Sequence, residues 1–169
     1  MGVSAAGKSV TGTALASRLS LPFVDGDDLH PAANVAKMHG GTPLTDDDRW
    51  PWLDQVGAEL SDVRRYPEGV IVACSALRSA YRDRIRRSAA SGLRFVFLNV
   101  GKKHAHRRSA ARHGHFMPPS LIDSQFTTLE LPDGEPDVLT VPSEGTPGQV
   151  ADTIAALLRN NRLGASVDR

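Results

Sequence analysis

The chain of 169 residues carries 20 Lys and Arg against 19 Asp and Glu, a formal net charge of +1. This near-neutral balance gives no reason to expect nucleic acid or an anionic membrane surface as a partner. No apolar run approaches the roughly 18 residues of a membrane span, and no secretory signal is visible. The single cysteine, Cys74, cannot form an intramolecular disulfide, which suits a reducing compartment. We therefore expect one cytoplasmic domain with a substantial core.

The first motif is the phosphate-loop pattern G-x-x-x-x-G-K-S over residues 2–9. Its glycines allow successive backbone N–H groups to point into one concavity, and the positive end of the following helix faces the same place. We expect Lys8 to reach the β- and γ-phosphates of a nucleotide and the Ser9 hydroxyl to bind Mg²⁺. The residues expected to contact the nucleotide here are Gly2, Val3, Ser4, Ala5, Ala6, Gly7, Lys8, Ser9 and Val10.

The surroundings of this motif decide whether it is a phosphate loop, because Gly, Ser and Lys also cluster in ordinary turns before helices. Apolar residues keep helical spacing as far as Ser20, which predicts the required helix. Only Met1 precedes Gly2, whereas a phosphate loop should end a buried strand of about five residues. Either that strand is a stub or the true start lies upstream. We favour the second explanation, because a stub leaves neighbouring backbone groups unpaired. Many related loops have glycine in place of Ala5, and we expect the φ angle of Ala5 to be below zero.

Short apolar runs alternate with longer helical patterns along the rest of the chain, which is typical of a parallel α/β sheet. The predicted strands cover residues 21–25, 70–73, 95–98 and 138–141. The predicted helices cover residues 34–39, 46–65, 77–85 and 150–158. Thr45 or Asp46 is the expected N-cap of the second of these helices. With the strand before the phosphate loop, the pattern predicts five strands in a single domain, and the tail after Asn160 should fray.

Two carboxylates follow the predicted strand 21–25, in the sequence Asp25-Gly26-Asp27. The carboxyl ends of the strands border the ligand crevice of an open α/β sheet, so these side chains should face the phosphate loop. Asp25 is a candidate Mg²⁺ ligand, directly or through water. Asp27 is a candidate to accept a proton from a substrate hydroxyl or to orient that hydroxyl. The alternative is a solvated acidic turn that caps the next helix.

Several cationic residues point to an anionic substrate. The planar fork of Arg49 suits bidentate binding of a carboxylate. Ser75, Arg78 and Arg82 follow another predicted strand and form a polar, cationic set at its carboxyl end. Trp52, by contrast, is interpreted as a packing residue rather than part of a ligand site.

A basic stretch at residues 102–112 has almost nothing to bury, and the overlapping segment 107–116 is basic and poor in apolar residues, which is the profile of a mobile cover. A cover that carries arginines can exclude water and neutralise charge on a transferring phosphoryl group. His113 and His115 stand close together, but no cysteine or third ligand follows at a suitable spacing. No metal site is therefore expected there.

These motifs together resemble the P-loop gluconate kinases (gluconokinases), a family related to the shikimate and nucleoside monophosphate kinases. The matching words are GVSAAGKS, DGDDLHP, DDDR-x-PWL, CSALR-x-x-YRD and R-x-x-x-R-x-GHF, and they extend over most of the chain. The phosphate loop alone is shared by many activities, whereas DGDDLHP and DDDR-x-PWL are specific. The chain departs from the pattern in its near-absent first strand, at Ala5, and at Arg78, where a lysine is common.

The resemblance implies that ATP, with Mg²⁺, phosphorylates D-gluconate to 6-phospho-D-gluconate. It implies a three-layer α/β/α P-loop kinase fold with a five-stranded parallel sheet of order 2-3-1-4-5, a truncated first strand and a helical lid over about residues 102–128. Members of the family are commonly homodimers. The nearest alternative activity is phosphorylation of shikimate or a nucleoside monophosphate. A further alternative is a nucleotide-binding but inactive form, truncated at its first strand.

The resemblance also implies roles for individual residues. Asp27 would touch the reactive hydroxyl, Arg108 would stack near adenine, and Arg112 would reach the phosphates when the lid closes. The implied catalytic residues are Lys8, Asp27 and Arg112. The implied substrate-binding residues are Asp27, His30, Arg49, Ser75, Arg78 and Arg82, and the implied metal ligands are Ser9 and Asp25.

Overall fold

The computed structural model describes residues 1–89, 91–111 and 119–164. The helices are α1 (Lys8–Leu19), α2 (Ala32–His39), α3 (Asp46–Ser61), α4 (Ser79–Ser88), α5 (Lys102–Ala110), α6 (Pro119–Thr128) and α7 (Pro147–Gly164). The strands are β1 (Phe23–Asp25), β2 (Ile71–Ala73), β3 (Phe95–Asn99) and β4 (Val138–Pro142), and a 3₁₀ helix (Gly26–Leu29) follows β1. Over these residues, no helix is long and apolar enough to cross a membrane.

The strands form two parallel pairs, as the alternating pattern predicts. β1 pairs with β2 in the register Phe23 to Ile71, and β3 pairs with β4 in the register Phe95 to Val138. The chain start lies between the two pairs. The main chain of Met1 bonds to Val96 O and Leu98 N of β3, at 2.5 and 2.9 Å. On the other side, Gly2 N donates to the carbonyl oxygen of Ser75, just beyond β2, at 3.1 Å.

The core consists of two apolar clusters, one under α1 and α7 and the other under α3 and α4. Leu15 of α1 and Ile154 of α7 belong to the first cluster, and Leu53 of α3 belongs to the second. Along β3, Leu98 packs into the first cluster and Phe95 into the second. This alternation is that of a strand with both faces covered, and helices therefore protect the strands on two sides.

The start of α3 is built by a capping box, which confirms Thr45 as the N-cap. The Thr45 hydroxyl accepts from Asp48 N at 3.3 Å, and Asp48 Oδ2 accepts from Thr45 N at 2.9 Å. Asp48 Oδ1 also lies 2.6 Å from the Lys37 ammonium, which ties α2 to α3. These contacts hold the first turn of α3, from which Arg49 projects.

Two local predictions are wrong. The predicted helix 46–65 ends at Ser61, because Asp62 leaves helical geometry and its carboxylate accepts the Arg65 N–H at 3.0 Å. The basic stretch at 102–112 was expected to bury almost nothing, but its first nine residues form α5, in which Ala105 is fully buried and Ser109 is 9% exposed. A helix buries a stripe of small residues that a count of apolar side chains overlooks.

Candidate active site

The phosphate loop curls between the chain start and α1, and glycine is required at both of its ends. Gly2 has φ 140° and Gly7 has φ 88°, a range that favours glycine. A Cβ on Gly2 would also lie 3.0 Å from the carbonyl oxygen of Leu98. Gly7 is the N-cap of α1 and has no side chain with which to cap the helix. An anion at this end of α1 would interact favourably with the positive end of the helix.

The prediction for Ala5 is wrong, since its φ angle is 61°. Ala6 N donates to Val3 O at 3.3 Å and closes a turn in which Ala5 is the third residue. Type II turns need positive φ at this position, which is why glycine is favoured there. The side chain of Ala5 is buried. Its left-handed backbone costs roughly 1 kcal/mol.

Lys8 folds back across the loop, and its ammonium donates to Val3 O at 3.0 Å. Ser9 follows it in the first turn of α1 and is partly buried. Asp25, at the end of β1, accepts the Asp27 N–H at 3.1 Å and so caps the 3₁₀ helix. Among the described residues, no group of three or more His, Cys, Asp or Glu side chains could hold a metal ion. Ser9 and Asp25 carry oxygen donors, the ligand type that Mg²⁺ prefers, and this ion commonly takes few protein ligands and keeps phosphate and water oxygens.

Lys8 and Asp27 lie at the same edge of the strands. Burial raises the pKa of the Cys74 thiol to about 11, while Lys8 lowers it and Asp27 raises it to a smaller extent. Gly2 of the phosphate loop donates to Ser75 O at 3.1 Å, and Gly26, next to Asp27, lies beside Ala73 and Cys74, so both segments meet at the end of β2. Cys74 is 6% exposed, which agrees with its interpretation as a packing residue.

Arg108 of α5 reaches the phosphate loop through Ser143, a buried residue that follows β4. Arg108 donates from Nη1 to Ser143 Oγ at 2.9 Å and from Nη2 to Ser143 O at 2.6 Å. Ser143 Oγ in turn donates to Ala6 O at 2.6 Å. The sequence analysis missed Ser143, although its place at the carboxyl end of a strand was an available signal. Arg112, the other arginine of this region with a predicted role, lies outside the described residues.

A second link joins the loop to α6. Gln125 Oε1 accepts the Ser4 N–H at 2.6 Å, and Gln125 Nε2 donates to Ser4 Oγ at 2.9 Å. One carboxamide therefore holds both the main chain and the side chain of Ser4. No local pattern predicts this contact, because its two residues are 121 positions apart.

A cavity of about 310 Å³ opens beside the start of α3 and contains two of the predicted substrate-binding residues, Arg49 and Arg78. Its other lining residues are Leu44, Asp46, Tyr81, Thr127, Thr128 and Glu130, none of which the sequence analysis assigned to a site. The lining combines cations, carboxylates and hydroxyl groups. Such a surface suits a small ligand that carries both a charge and several hydroxyls.

Arg78 and Arg49 differ in how their charges are balanced. Arg78 lies 2.6 Å from Asp46 Oδ2 and 3.3 Å from Glu130 Oε1. Arg49 donates to the Leu44 carbonyl oxygen at 3.2 Å and lies 5.6 Å from the centre of the Tyr81 ring. Within the described ranges, no carboxylate lies at ion-pair distance from Arg49. The positive charge of the cavity is therefore concentrated at Arg49.

Tyr81 and Asp46 form a hydrogen-bonded pair at the floor of this cavity. The Tyr81 hydroxyl donates to Asp46 Oδ1. This bond lowers the pKa of Asp46, and nearby Arg78 lowers it further. Burial and the same contact raise the pKa of Tyr81. At neutral pH the site therefore presents a carboxylate and a neutral phenol.

Burial lowers the pKa of His30, while the charges of Asp27 and Arg49 shift this pKa in opposite directions. Asp27 raises the pKa, and Arg49 lowers it further. The ring stacks on Trp52 with 4.2 Å between centroids, and Trp52 Nε1 donates to Gly26 O at 2.7 Å. Trp52 is 1% exposed, which confirms its packing role. His30 is thus held as a neutral ring beside the exposed carboxylate of Asp27.

The other four predicted substrate-binding residues are not among those that line this cavity: Asp27, His30, Ser75 and Arg82. Arg82 is 1% exposed, and its Nε and Nη2 both donate to Glu135, at 2.9 and 2.5 Å. Its Nη1 donates to the carbonyl oxygens of Ala76, Leu77 and Glu130. The side chain is fully engaged by the protein itself. Ser75 contributes its carbonyl oxygen to the Gly2 N–H, which brings the end of β2 beside the phosphate loop.

Comparisons with known proteins give a consistent result, although no protein-family model matches the chain. The gluconokinase of Gluconobacter oxydans strain 621H is 41% identical over 154 residues, covering 91% of this chain and 86% of that protein. The thermoresistant gluconokinase of Escherichia coli K12 is 39% identical over 159 residues, covering 93% and 90%. The crystal structure of a gluconokinase from Sinorhizobium meliloti 1021 has a TM-score of 0.86 at 44% identity, covering 98% of this chain and 94% of that one.

Proposed function

This chain belongs to the gluconokinase family and has the α/β fold of the P-loop kinases, and we infer that it phosphorylates D-gluconate with ATP. The products are ADP and 6-phospho-D-gluconate. The observation that carries this inference is that α6 contacts the phosphate loop through Gln125 and, at its end, lines a cavity that contains Arg49, which has no described carboxylate at ion-pair distance. Phosphoryl transfer needs chiefly positioning and charge stabilisation, and both are available here.

The loop of residues 2–10 contains the phosphate site. The N–H groups at the start of α1 and the Lys8 ammonium bind the β- and γ-phosphates, and Arg108 lies at the nucleotide end beside Ser143. Ser9 and Asp25 would hold Mg²⁺, which neutralises phosphate charge when bound. Lys8 exchanges its present carbonyl partner, Val3 O, for phosphate oxygens, a stronger charge-assisted contact.

The cavity beside α3 holds the sugar acid. Arg49 binds the carboxylate of gluconate, because its charge lacks a described carboxylate partner. Arg78 orients the carboxylates of Asp46 and Glu130, which accept hydrogen bonds from the sugar hydroxyls. Arg78 therefore holds these two carboxylates in place, whereas the sequence predicted that it would bind the substrate directly.

Asp27 orients the hydroxyl that receives the phosphoryl group. Its side chain is exposed, and it follows the end of β1. An alcohol that attacks a loose transition state needs little early deprotonation, so orientation by the carboxylate is the main requirement. Neutral His30, beside Asp27, offers a hydrogen bond to the same substrate.

Several finer features rest on the family resemblance. The hydrogen bonds of Met1 and Gly2 to both strand pairs support the order 2-3-1-4-5, in which Met1 and Gly2 occupy the place of strand 1 and β1 to β4 count as strands 2 to 5. We also propose that a lid lies within about residues 102–128, on the part of that region before α6, that the enzyme works in the cytoplasm and that it forms a homodimer. Light scattering of the purified protein tests the dimer directly.

ADP release measured with D-gluconate, shikimate and nucleoside monophosphates as separate acceptors tests the activity. We expect turnover with gluconate alone, and phosphorus NMR should show a phosphomonoester on its primary hydroxyl. Turnover on shikimate or a nucleotide without turnover on gluconate would replace this function with the alternative one. ATP binding without ADP release from any acceptor would identify a nucleotide-binding but inactive form. Lys8→Ala is the matched inactive variant, with a loss of at least about 100-fold in kcat.

A further inference from the structure

Gln125 connects the phosphate loop to the helix that borders the sugar-acid cavity. Its carboxamide accepts the Ser4 N–H at 2.6 Å and donates to the Ser4 hydroxyl at 2.9 Å. Both contacts are partly buried, and both fall on one loop residue. A carboxamide that makes two hydrogen bonds to one residue fixes its orientation as well as its position.

The residues beside Ser4 are those on which the loop shape depends. Val3 supplies the carbonyl oxygen that Lys8 contacts, and Ala5 has the left-handed φ of 61°. A left-handed alanine persists only where its surroundings hold it, and the contacts of Gln125 lie immediately before it. The Ser4 N–H is also committed to Gln125. Ser4 was predicted to bind the nucleotide, but this commitment leaves the phosphate site to the N–H groups that follow it.

The same helix forms one wall of the other substrate site. Thr127 and Thr128 lie at the end of α6 and line the cavity, and Glu130 follows two residues later. Residue 125 and residues 127 and 128 are within one helical turn, so a rigid element separates the loop contact from the cavity wall. A shift of α6 relative to Ser4 would therefore change the distance between the two substrates.

We propose that Gln125 is a positioning residue that sets the phosphate loop at the correct distance and angle from the sugar-acid cavity. This role rests on the proposed function, since it concerns the alignment of the γ-phosphate with the acceptor hydroxyl. Alignment errors of about 1 Å can reduce turnover by about 100-fold. Gln125 acts through Ser4 and the loop.

The test compares Gln125→Ala with Gln125→Glu and with Ser124→Ala, a matched control on the same helix. Among the residues that the structure describes, the Ser124 hydroxyl bonds only to Leu121 O, at 2.9 Å. In Gln125→Ala we expect kcat to fall by about 10- to 100-fold while the gluconate KM changes by less than about threefold, because the cavity wall is retained. A nonhydrolysable ATP analogue should bind at least about fivefold more weakly, because the loop must be ordered on binding. Ser124→Ala should match the parent in all three quantities.

Gln125→Glu separates positioning from simple packing. Its carboxylate can accept from both the Ser4 N–H and the Ser4 hydroxyl, so kcat should recover from the alanine value. The added negative charge near the phosphates should at the same time raise the KM for ATP. If Gln125 only fills space, Gln125→Ala should have a lower melting temperature. The kcat and the KM for ATP should then not respond differently to the alanine and glutamate substitutions.

Two results separate failure of this inference from failure of the proposed function. If the parent releases ADP with gluconate but Gln125→Ala keeps both kcat and analogue affinity within about twofold, the positioning role is wrong. If the parent does not turn over gluconate, the proposed function is wrong. In that case, calorimetry with the ATP analogue still tests the loop contact. Weaker binding to Gln125→Ala would show that Gln125 holds the loop, and unchanged binding would show that it does not.

Discussion

The guanidinium of Arg78 lies 2.6 Å from the carboxylate of Asp46, and this ion pair separates the roles of the two arginines in the cavity. Arg78 has a second carboxylate partner in Glu130, whereas Arg49 contacts a carbonyl oxygen and an aromatic ring. An anionic substrate gains most from a cation whose charge is not already balanced. The sequence alone left open which arginine binds the carboxylate, and charge balance favours Arg49.

Arg49→Ala should raise the gluconate KM by about 100-fold and leave the KM for ATP within about threefold, since loss of a charge-assisted contact costs about 1.5–3 kcal/mol. Arg78→Ala should have a smaller effect on the gluconate KM and lower kcat as well, because it releases Asp46 and Glu130. Steady-state kinetics with D-gluconate and its uncharged analogue D-glucitol provide the measurement. If Arg49→Ala retains the parent's preference for gluconate over D-glucitol, another residue binds the carboxylate.

Ala5→Gly should stabilise the protein by about 0.5–1 kcal/mol, because glycine accepts the left-handed φ of 61° without steric cost. For a chain of this size the melting temperature should rise by about 2–3 °C. Ala58→Gly, at an exposed site within α3, is the opposite control and should destabilise by about 0.5–1 kcal/mol. An unchanged or lower melting temperature for Ala5→Gly would show that the strain at this residue is relieved elsewhere.

Arg82→Ala should destabilise the fold by about 3–5 kcal/mol. The substitution removes a buried guanidinium and leaves the carboxylate of Glu135 without that ion-pair partner. Arg84→Ala removes an arginine from an exposed pair with Asp54 and should change the stability much less, because solvent screens that pair. Urea unfolding of both variants gives the comparison. A variant at Arg82 that keeps the parent's stability but has a gluconate KM raised by more than about tenfold would restore the substrate-binding role predicted for it.

Acid should weaken the junction of α2 and α3 through Asp48. The ion pair with Lys37, followed by the hydrogen bonds from Thr45, lowers the pKa of Asp48 from 3.8 to about 2. Because the folded-state pKa is the lower one, Asp48 stabilises the fold above its unfolded pKa. This contribution is lost as the pH falls from about 4 through about 2.

Melting temperatures of the parent and of Asp48→Asn, measured between neutral pH and pH 2, test this effect. The variant should be less stable at neutral pH, and the difference should shrink as the solution is acidified. Asp47→Asn, at an exposed residue of the same helical turn, is the control and should follow the parent. A constant difference between Asp48→Asn and the parent across this range would exclude the carboxylate charge as its cause.

Local patterns were sufficient for the parts of the fold that depend on neighbouring residues. The spacing around Lys8 predicted the phosphate loop and α1, and the apolar runs predicted strands near those observed. The positive φ of Ala5 was missed because the turn closed by Ala6 N and Val3 O overrides the preference of alanine. The cavity was missed in part because it joins distant segments. Tyr81 does pack on the face predicted for α4, but its hydroxyl meets Asp46, 35 positions earlier.

Arg82 illustrates the same limit. As a cation at the carboxyl end of a strand it had the features of a ligand, and nothing local distinguished it from Arg78. Its partner Glu135 is 53 positions away, and only the fold brings the two together. Residue type and spacing therefore predicted which side chains gather near the site, whereas long-range pairing separates those that face the cavity from those that hold its walls.

A crystal structure with D-gluconate and a nonhydrolysable ATP analogue is the most direct test of how the two substrates meet. We expect the γ-phosphate at Lys8 and the first N–H groups of α1, the gluconate carboxylate on Arg49, and the acceptor hydroxyl about 3–3.5 Å from the γ-phosphorus beside Asp27. Gluconate bound away from the cavity at Arg49, or a triphosphate that does not contact Lys8, would contradict this account of the site.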